Sequence, residues 1–212
     1  MKNNNNKPNQ KERIALGLFY NRFYDLYEEL SHDDFFKNKS SYRFYMIREI
    51  FSIYKELLCY EPIKYHIELI KKTRPTLEGI IVSELFSFIR NLLLHFPLFD
   101  NWNDVYITKD LATWNKAGTI HGFLKKSSQI KIDEKGTIKY RIWEESKKLM
   151  TNISINFPEE YNNNKIFLKD IVSEKEGIKL CISFMKEILD FQVDSAKVQD
   201  IKIMSQVYIK RA

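Results

Sequence analysis

The most apolar stretch of this chain, residues 76–95, carries its apolar side chains at helical spacing. They are Leu77, Ile80, Ile81, Leu85, Phe88, Ile89 and Leu92. A helix that is apolar on nearly every side lies at the centre of a helical protein. Pro97 disfavours a helical conformation at residue 96, so the helix is predicted to end close to His95. The stretch therefore predicts a mainly α fold built around one buried helix.

Amphipathic helices are predicted on both sides of this stretch, because apolar residues recur there every three or four positions. The first covers residues 11–30, with an inward stripe of Ile14, Leu18, Phe19, Phe23, Leu26, Tyr27 and Leu30. The second occupies much of residues 41–59, with one face formed by Phe44, Ile47, Phe51, Tyr54 and Leu58. A third begins at Pro62, which suits the first turn of a helix. A last helix spans residues 175–189, with an inward face of Ile178, Cys181, Ile182, Met185 and Leu189.

The part of the chain after residue 100 predicts a smaller, mixed α/β C-terminal part. Residues 99–105 are turn-rich, and residues 106–114 form either a short strand or the start of a helix. Apolar residues alternate on both sides of Gly136, which predicts a β-hairpin over residues 129–143. Residues 143–150 fit either its continuation or a helix, and the tail, residues 201–209, alternates like a strand.

The domain organisation is interpreted as one domain after a short disordered leader. Residues 1–10 are rich in Asn and Lys without an apolar segment, so they are not a signal peptide. Residues 11–212 then form a single domain. Its helical core covers about residues 11–100 and 175–190, and an insert covers about residues 100–165.

Composition is that of a folded, soluble protein, and the absence of their motifs argues against phosphate-binding-loop NTPases, zinc enzymes and serine hydrolases. The 212 residues are 44% hydrophobic and 29% charged, and the net charge of +6 leans mildly toward polyanions. No apolar run is long enough to predict a membrane span. Cys59 and Cys181 lie far apart in apolar stretches, which predicts two buried thiols in the cytoplasm and no zinc site. No phosphate-binding glycine loop or nucleophile elbow is present.

The few polar residues of the apolar helix are the candidates for chemistry, because burying them is costly unless they are paired or face a cleft. Glu84 and Asn91 are seven residues apart and share nearly one face, on which His95 also lies. Arg90 is rotated by about 140° from His95 on an ideal helix. The two converge on one phosphate only if the helix ends or distorts near His95, which Pro97 favours, or if a second subunit supplies one of them.

The run Arg90-Asn91-x-x-x-His95 resembles the signature of the HEPN superfamily, in which these residue types lie on one helix of a helical bundle. The resemblance covers about residues 11–100. It implies a HEPN-like bundle and a metal-independent endoribonuclease of a bacterial antiphage defence or toxin system. It also implies a homodimer, RNA as substrate, no cofactor, and an antitoxin or defence-complex subunit as a further partner. Some HEPN toxins carry a modified Tyr where Pro97 stands, so no modifying nucleotidyltransferase is inferred.

The resemblance implies a role for each residue of the motif. His95 would act as general acid and base, since an imidazole titrates near neutral pH. The nucleophile would be the 2′-hydroxyl of the RNA itself. Arg90 would hold the phosphate and stabilise charge that develops in the transition state. Asn91 would orient His95 or the phosphate, and Glu84 would anchor Arg90 or tune His95.

RNA contacts are predicted in the residues that follow the motif. Trp102 would stack on an unpaired base, while Asp100 or Asp104 would orient Arg90. The alternative for Trp102 is an aromatic plug that closes the core. Further RNA contacts are predicted in a loop that contains His121, Lys125 and Lys126. The alternative for His121 is a surface histidine without a role in binding.

Non-catalytic interpretations stay open beside the enzyme. Arg90 and Glu84 could form an interior ion pair, while His95 caps the C-terminus of the helix, where the macrodipole favours a cation. A helical interaction module of a defence complex would carry the same pattern without activity. An RNA- or DNA-binding regulator is the third interpretation, and it would bind nucleic acid with a steep salt dependence.

Overall fold

Helix α1, Gln10–Ser31, and helix α2, Ser40–Leu57, are the first two α-helices of the described chain and pack against each other. The computed structural model describes residues 10–59, 61–73, 84–95, 99–108, 137–144, 148–156 and 161–193. Both helices confirm the predicted positions to within two residues. On α2, the predicted face is buried at Phe44, Ile47, Phe51 and Tyr54, and Leu58 is half-buried just beyond the helix.

The inward stripe of α1 is narrower than predicted. Its fully buried members are Phe23, Leu26 and Leu30, and Tyr20 is 8% exposed. Leu18 is 61% exposed and Phe19 is 36% exposed, so their predicted inward position was wrong. Helix residues follow one another at about 100°, which turns Leu18 about 160° away from Tyr20. Apolar character alone therefore does not place a residue of this helix in the core.

Four more helices follow in the residues that the structure describes. Helix α3, Glu61–Thr73, confirms the third predicted helix. Helix α4, Phe86–His95, is the described part of the apolar helix and ends at His95, as predicted, while residues 74–83 lie outside the described part. After a four-residue turn of helix, α5, Leu168–Ile171, the chain forms α6, Glu176–Val193. The inward face predicted for α6 is confirmed, since all five of its residues are buried: Ile178, Cys181, Ile182, Met185 and Leu189.

The described strands form two antiparallel ribbons. Strand β1, Tyr106–Thr108, confirms the strand alternative at its position. Strands β2, Thr137–Glu144, and β3, Leu149–Asn156, pair over their full length, and β4, Lys165–Phe167, pairs with β1.

The hairpin predicted around Gly136 is confirmed in its second strand. Among the described residues that strand pairs with the strand after it, with Ile138 opposite Ile155. The helix alternative for residues 143–150 was wrong, because Trp143 belongs to β2, Met150 belongs to β3, and Lys148 has a φ of 49°. Strand β3 alternates, with Ile153 and Ile155 buried between exposed neighbours, and this gives the ribbon one core face. Residues 129–136 lie outside the described part.

The core joins the helices to both ribbons. Helix α6 packs against α1, α2, α3 and β3, and α4 packs against α2. Buried residues of these helices form one cluster with Ile107, Ile153 and Ile166 from the strands. The described chain is thus mainly helical with a small antiparallel component. The strand predicted at 201–209 and residues 1–9 of the predicted leader lie outside the described residues, whereas Gln10 begins α1.

Ion pairs connect the start of α6 to the α1–α2 connection, which contains a 3₁₀ turn at Asp33–Lys37. Arg43 donates to both carboxylate oxygens of Glu174, at 2.7 and 3.0 Å. Asp33 lies 2.6 Å from the ammonium of Lys179 and 3.1 Å from that of Lys175. Hydrogen bonds from these two lysines, Lys179 first, hold the pKa of Asp33 well below its usual range. We call these five residues the α6 ion-pair cluster.

Candidate active site

Helix α4 places the Arg-Asn-x-x-x-His motif against the core. The ring of Phe86, in its first turn, meets those of Phe51 and Tyr54 edge-on, with centroids 6.2 and 5.7 Å apart. Its buried face is formed by Phe86, Phe88, Ile89, Leu92 and Leu93. Arg90 and Asn91 are partly buried on the same helix. The motif therefore lies on an element that packing holds in place.

Arg90 and Asn91 contact each other through their side chains. The Nη1 atom of Arg90 donates a hydrogen bond to Oδ1 of Asn91 over 3.1 Å. This bond draws the guanidinium toward the side of the helix that carries Asn91. His95 follows Asn91 by four residues, which is about one helical turn. The bond thus turns the guanidinium toward the side of the helix on which the backbone places His95.

The guanidinium of Arg90 retains donors without a partner. Its Nε atom is buried and has no hydrogen-bond partner among the described residues, and the same is true of the hydroxyl of Tyr54 on α2. Buried polar atoms without partners are rare, and each calls for an explanation. Because Nε is enclosed by protein, an anion would reach this guanidinium through its terminal nitrogens.

Glu84 and His95 lie at the two ends of the predicted site. Glu84 is partly buried in a turn of π-helix, residues 84–85, that leads into α4, about two turns before Asn91. His95 is the last residue of α4, so the predicted end of the helix is confirmed, but its side chain lies outside the described atoms. The backbone therefore places Arg90, Asn91 and His95 within the last two turns of one helix.

The burial of Trp102 contradicts the prediction that this residue stacks on a base. It lies in a 3₁₀ turn, Trp102–Asp104, and is 0% exposed. Its indole N–H donates to the carbonyl oxygen of Val172 at 3.1 Å. Stacking on a base requires a ring face open to solvent, so the aromatic-plug alternative is the one that fits. The side chains of Asp100 and Asp104 are exposed, and no hydrogen bond from Arg90 to either is found in the described part of the chain.

One of the two cysteine predictions is confirmed, and the remaining predicted RNA contacts lie outside the described residues. Cys181 is buried as predicted, and burial raises the pKa of its thiol. Cys59 is exposed at the end of α2, so its predicted burial was wrong. The three remaining predicted RNA contacts lie in residues 109–136, outside the described part: His121, Lys125 and Lys126. Among the described residues, no group of three or more His, Cys, Asp or Glu could hold a metal ion.

Sequence reasoning missed a set of aromatic rings with lysines on β1 and β4. Tyr106 lies opposite Phe167, and the ammonium of Lys165 is 4.2 Å from the centroid of the Tyr106 ring. The two strands are separated by more than fifty residues, and each is only three residues long. Such short strands carry too little alternation to reveal their partner in the sequence.

None of the described helices combines the length and apolar character needed to cross a membrane. Comparison with protein-family models, with curated proteins and with solved structures finds no match to this chain.

Proposed function

We propose that this chain is a HEPN-type endoribonuclease of a bacterial defence or toxin system, with Arg90, Asn91 and His95 as its active site. The observation that supports it most is the hydrogen bond between Arg90 and Asn91 near the end of a packed helix. The bond groups a cation and an amide one turn before an imidazole-bearing residue. A guanidinium, an amide and an imidazole on one helix suit the recognition and cleavage of a phosphodiester.

The proposed reaction uses the RNA's own nucleophile and needs no metal or cofactor. His95 accepts the proton of a ribose 2′-hydroxyl, whose oxygen attacks the adjacent phosphorus. The bond from phosphorus to the 5′-oxygen breaks, and that oxygen receives a proton from His95 or from water. The products are a 2′,3′-cyclic phosphate and a 5′-hydroxyl. Arg90 donates to the phosphate oxygens and stabilises the charge that builds on them.

Asn91 is proposed as a positioning residue. By accepting from Arg90, it fixes the direction of a long side chain that otherwise has many rotamers. Glu84, two turns earlier on nearly the same face, is proposed to tune the same group of side chains. The wider proposal is a HEPN-like bundle that acts in the cytoplasm as a homodimer, with the motif at the subunit interface and an antitoxin or a defence-complex subunit as partner.

The test is RNA cleavage by the purified full chain in EDTA. We expect the wild-type protein to cut RNA, Arg90→Ala and His95→Ala to lose most of this activity, and Asn91→Ala to retain part of it. General acid–base catalysis accounts for about 10²–10⁴-fold in rate, which sets the loss expected for His95→Ala.

Matched substitutions elsewhere control for the loss of a cation or an imidazole. Arg48→Ala removes an arginine that stacks on the ring of Tyr45, and His32→Ala removes an exposed histidine. Both should leave cleavage unchanged. If RNA stays intact with every protein, or if cleavage survives in Arg90→Ala and His95→Ala, the enzyme proposal fails. A non-catalytic interaction module then becomes the better interpretation.

A further inference from the structure

Three aromatic rings, two of them on the β1–β4 ribbon, form a row. Phe99 lies edge-on to Tyr106 with centroids 5.5 Å apart, and Tyr106 lies 5.5 Å from Phe167 on the paired strand. All three are half-buried. On the opposite face of the β1–β4 ribbon, Ile107 and Ile166 are buried in the core. We call Phe99, Tyr106 and Phe167 the aromatic row.

Two lysines lie over this row. The Nζ atom of Lys165 is 4.2 Å from the centroid of the Tyr106 ring, and that of Lys169 is 5.1 Å from the centroid of Phe167. Neither ammonium forms an ion pair with another described residue. Five other lysines of the described chain do form ion pairs with carboxylates: Lys37, Lys71, Lys175, Lys179 and Lys186. The charge at the row is therefore not matched by protein carboxylates in the described chain.

The row is close to the motif along the chain. Phe99 follows His95, the last residue of α4, by four residues. Four residues span at most about 14 Å even when fully extended. A bound strand that reaches the end of α4 can therefore also reach the row.

We infer that the aromatic row, with Lys165 and Lys169, binds unpaired nucleotides of the RNA substrate. This inference rests on the proposed function and specifies its substrate as single-stranded RNA. Half-buried rings offer faces on which bases stack when the flexible lysines that lie over Tyr106 and Phe167 move from the rings to contact phosphates. An apolar protein partner would instead cover two ammonium groups without giving them a counter-charge, which is unfavourable.

The test measures binding separately from cleavage. Fluorescence anisotropy reports binding of a labelled oligouridine to full-length protein that carries His95→Ala, so that the RNA is not consumed. In that background, Tyr106→Leu and Phe167→Leu keep apolar volume but remove a ring, and each should weaken binding about 5- to 100-fold. The double variant Lys165→Gln/Lys169→Gln should reduce the slope of log affinity against log salt by about 1.4.

The control uses the same chemistry at another place on the surface. Tyr45 on α2 is 47% exposed, and the guanidinium carbon of Arg48 lies 4.8 Å from its ring centroid. The variant Tyr45→Leu/Arg48→Gln should bind oligouridine like its His95→Ala parent. An RNA duplex should bind more weakly than the single strand, since its bases are already stacked.

The outcomes separate this inference from the proposed enzyme. Lys165 and Lys169 are not core residues, so their substitution does not disturb the core. If the double variant keeps the affinity and the salt slope of its parent, the inference is overturned, even if the wild type cleaves RNA. Equal losses in the control and the row variants would also overturn it. Weakened binding confined to the row supports it, including in a protein that never cleaves, where only the enzyme proposal fails.

Discussion

Two tyrosine hydroxyls lie in opposite surroundings. The hydroxyl of Tyr54 is buried on α2 without a partner among the described residues, and burial raises its pKa far above the ordinary value. Tyr24 on α1 donates to the carboxylate of Asp190 on α6, which also pairs with Lys186. Partial burial first, and then this hydrogen bond, raise the pKa of Tyr24. Loss of the same oxygen should therefore have opposite effects at the two positions.

The expected result is a stability change of opposite sign for one chemical substitution. Tyr54→Phe removes a buried polar atom that has no partner and should raise the free energy of unfolding by about 1 kcal/mol. Tyr24→Phe leaves Asp190 with one donor fewer and should lower it by about 1 kcal/mol. Urea unfolding of both variants measures the two values. A loss of stability in Tyr54→Phe as large as that in Tyr24→Phe contradicts the description of Tyr54.

Gly177 is required by close packing at the start of α6. A Cβ atom there would lie 2.3 Å from Cγ2 of Val172, the residue whose carbonyl accepts from Trp102. Gly177→Ala should therefore lower the free energy of unfolding by about 1–3 kcal/mol through overpacking. Ser183→Ala, an exposed position of the same helix, is the control and should have a much smaller effect. Thermal unfolding compares them, and equal melting temperatures would show that Val172 moves aside freely.

At the level of residues, the sequence predicted which positions share a face of a helix and missed the contacts that side chains make beyond it. Asn91 and His95 were placed on one face, whereas the hydrogen bond from Arg90 to Asn91 was not predicted. The buried indole of Trp102 donates to the carbonyl of Val172, seventy residues later, and nothing near Trp102 in the sequence indicates that acceptor. The burial predicted for Cys59 failed because the residue lies beyond the last turn of α2, where the inward stripe no longer continues.

Among the elements, helices were predicted well because their periodicity is a local signal. Helices α1, α2, α3 and α6 lie close to their predicted ranges. Strand pairing is a non-local property, and the pairing of β2 with β3 was therefore not predicted. The α6 ion-pair cluster was also not predicted, since it joins residues more than 130 positions apart.

The α6 ion-pair cluster makes stability depend on pH in a defined direction. Because folding lowers the pKa of Asp33, its pairing stabilises the folded state above the ordinary value of 3.8, and this contribution decreases as pH falls below it. Asp33→Asn should therefore be less stable than wild type at pH 7, and the difference should narrow below about pH 4. Asp33 is 34% exposed, so solvent screening keeps the effect modest.

Urea unfolding at several pH values measures this difference, with Asp34→Asn as the control. The neighbouring carboxylate of Asp34 is 84% exposed and pairs only with Lys37 among the described residues, so its loss should matter far less. A stability difference for Asp33→Asn that widens toward low pH has the wrong sign for a lowered pKa. Such a result would remove Asp33 from the stabilising cluster.

At the scale of the whole molecule, one core connects the candidate site to the rest of the fold. Helix α4 packs on α2, α2 packs on α1 and α6, and the β1–β4 ribbon contributes buried residues to the same cluster. The mainly helical class could be predicted from composition and periodicity. The arrangement of the helices and ribbons could not, because it depends on side-chain fit between distant segments.

The central claim is that Arg90 and His95 direct the attack of a ribose 2′-hydroxyl on its own phosphate. Mass spectrometry of the fragments made from one defined RNA in EDTA tests it most directly. We predict 5′ fragments that end in a 2′,3′-cyclic phosphate and 3′ fragments that begin with a 5′-hydroxyl, both absent with Arg90→Ala and His95→Ala. Fragments with a 3′-hydroxyl and a 5′-phosphate, or identical products from the wild type and both variants, would contradict the claim.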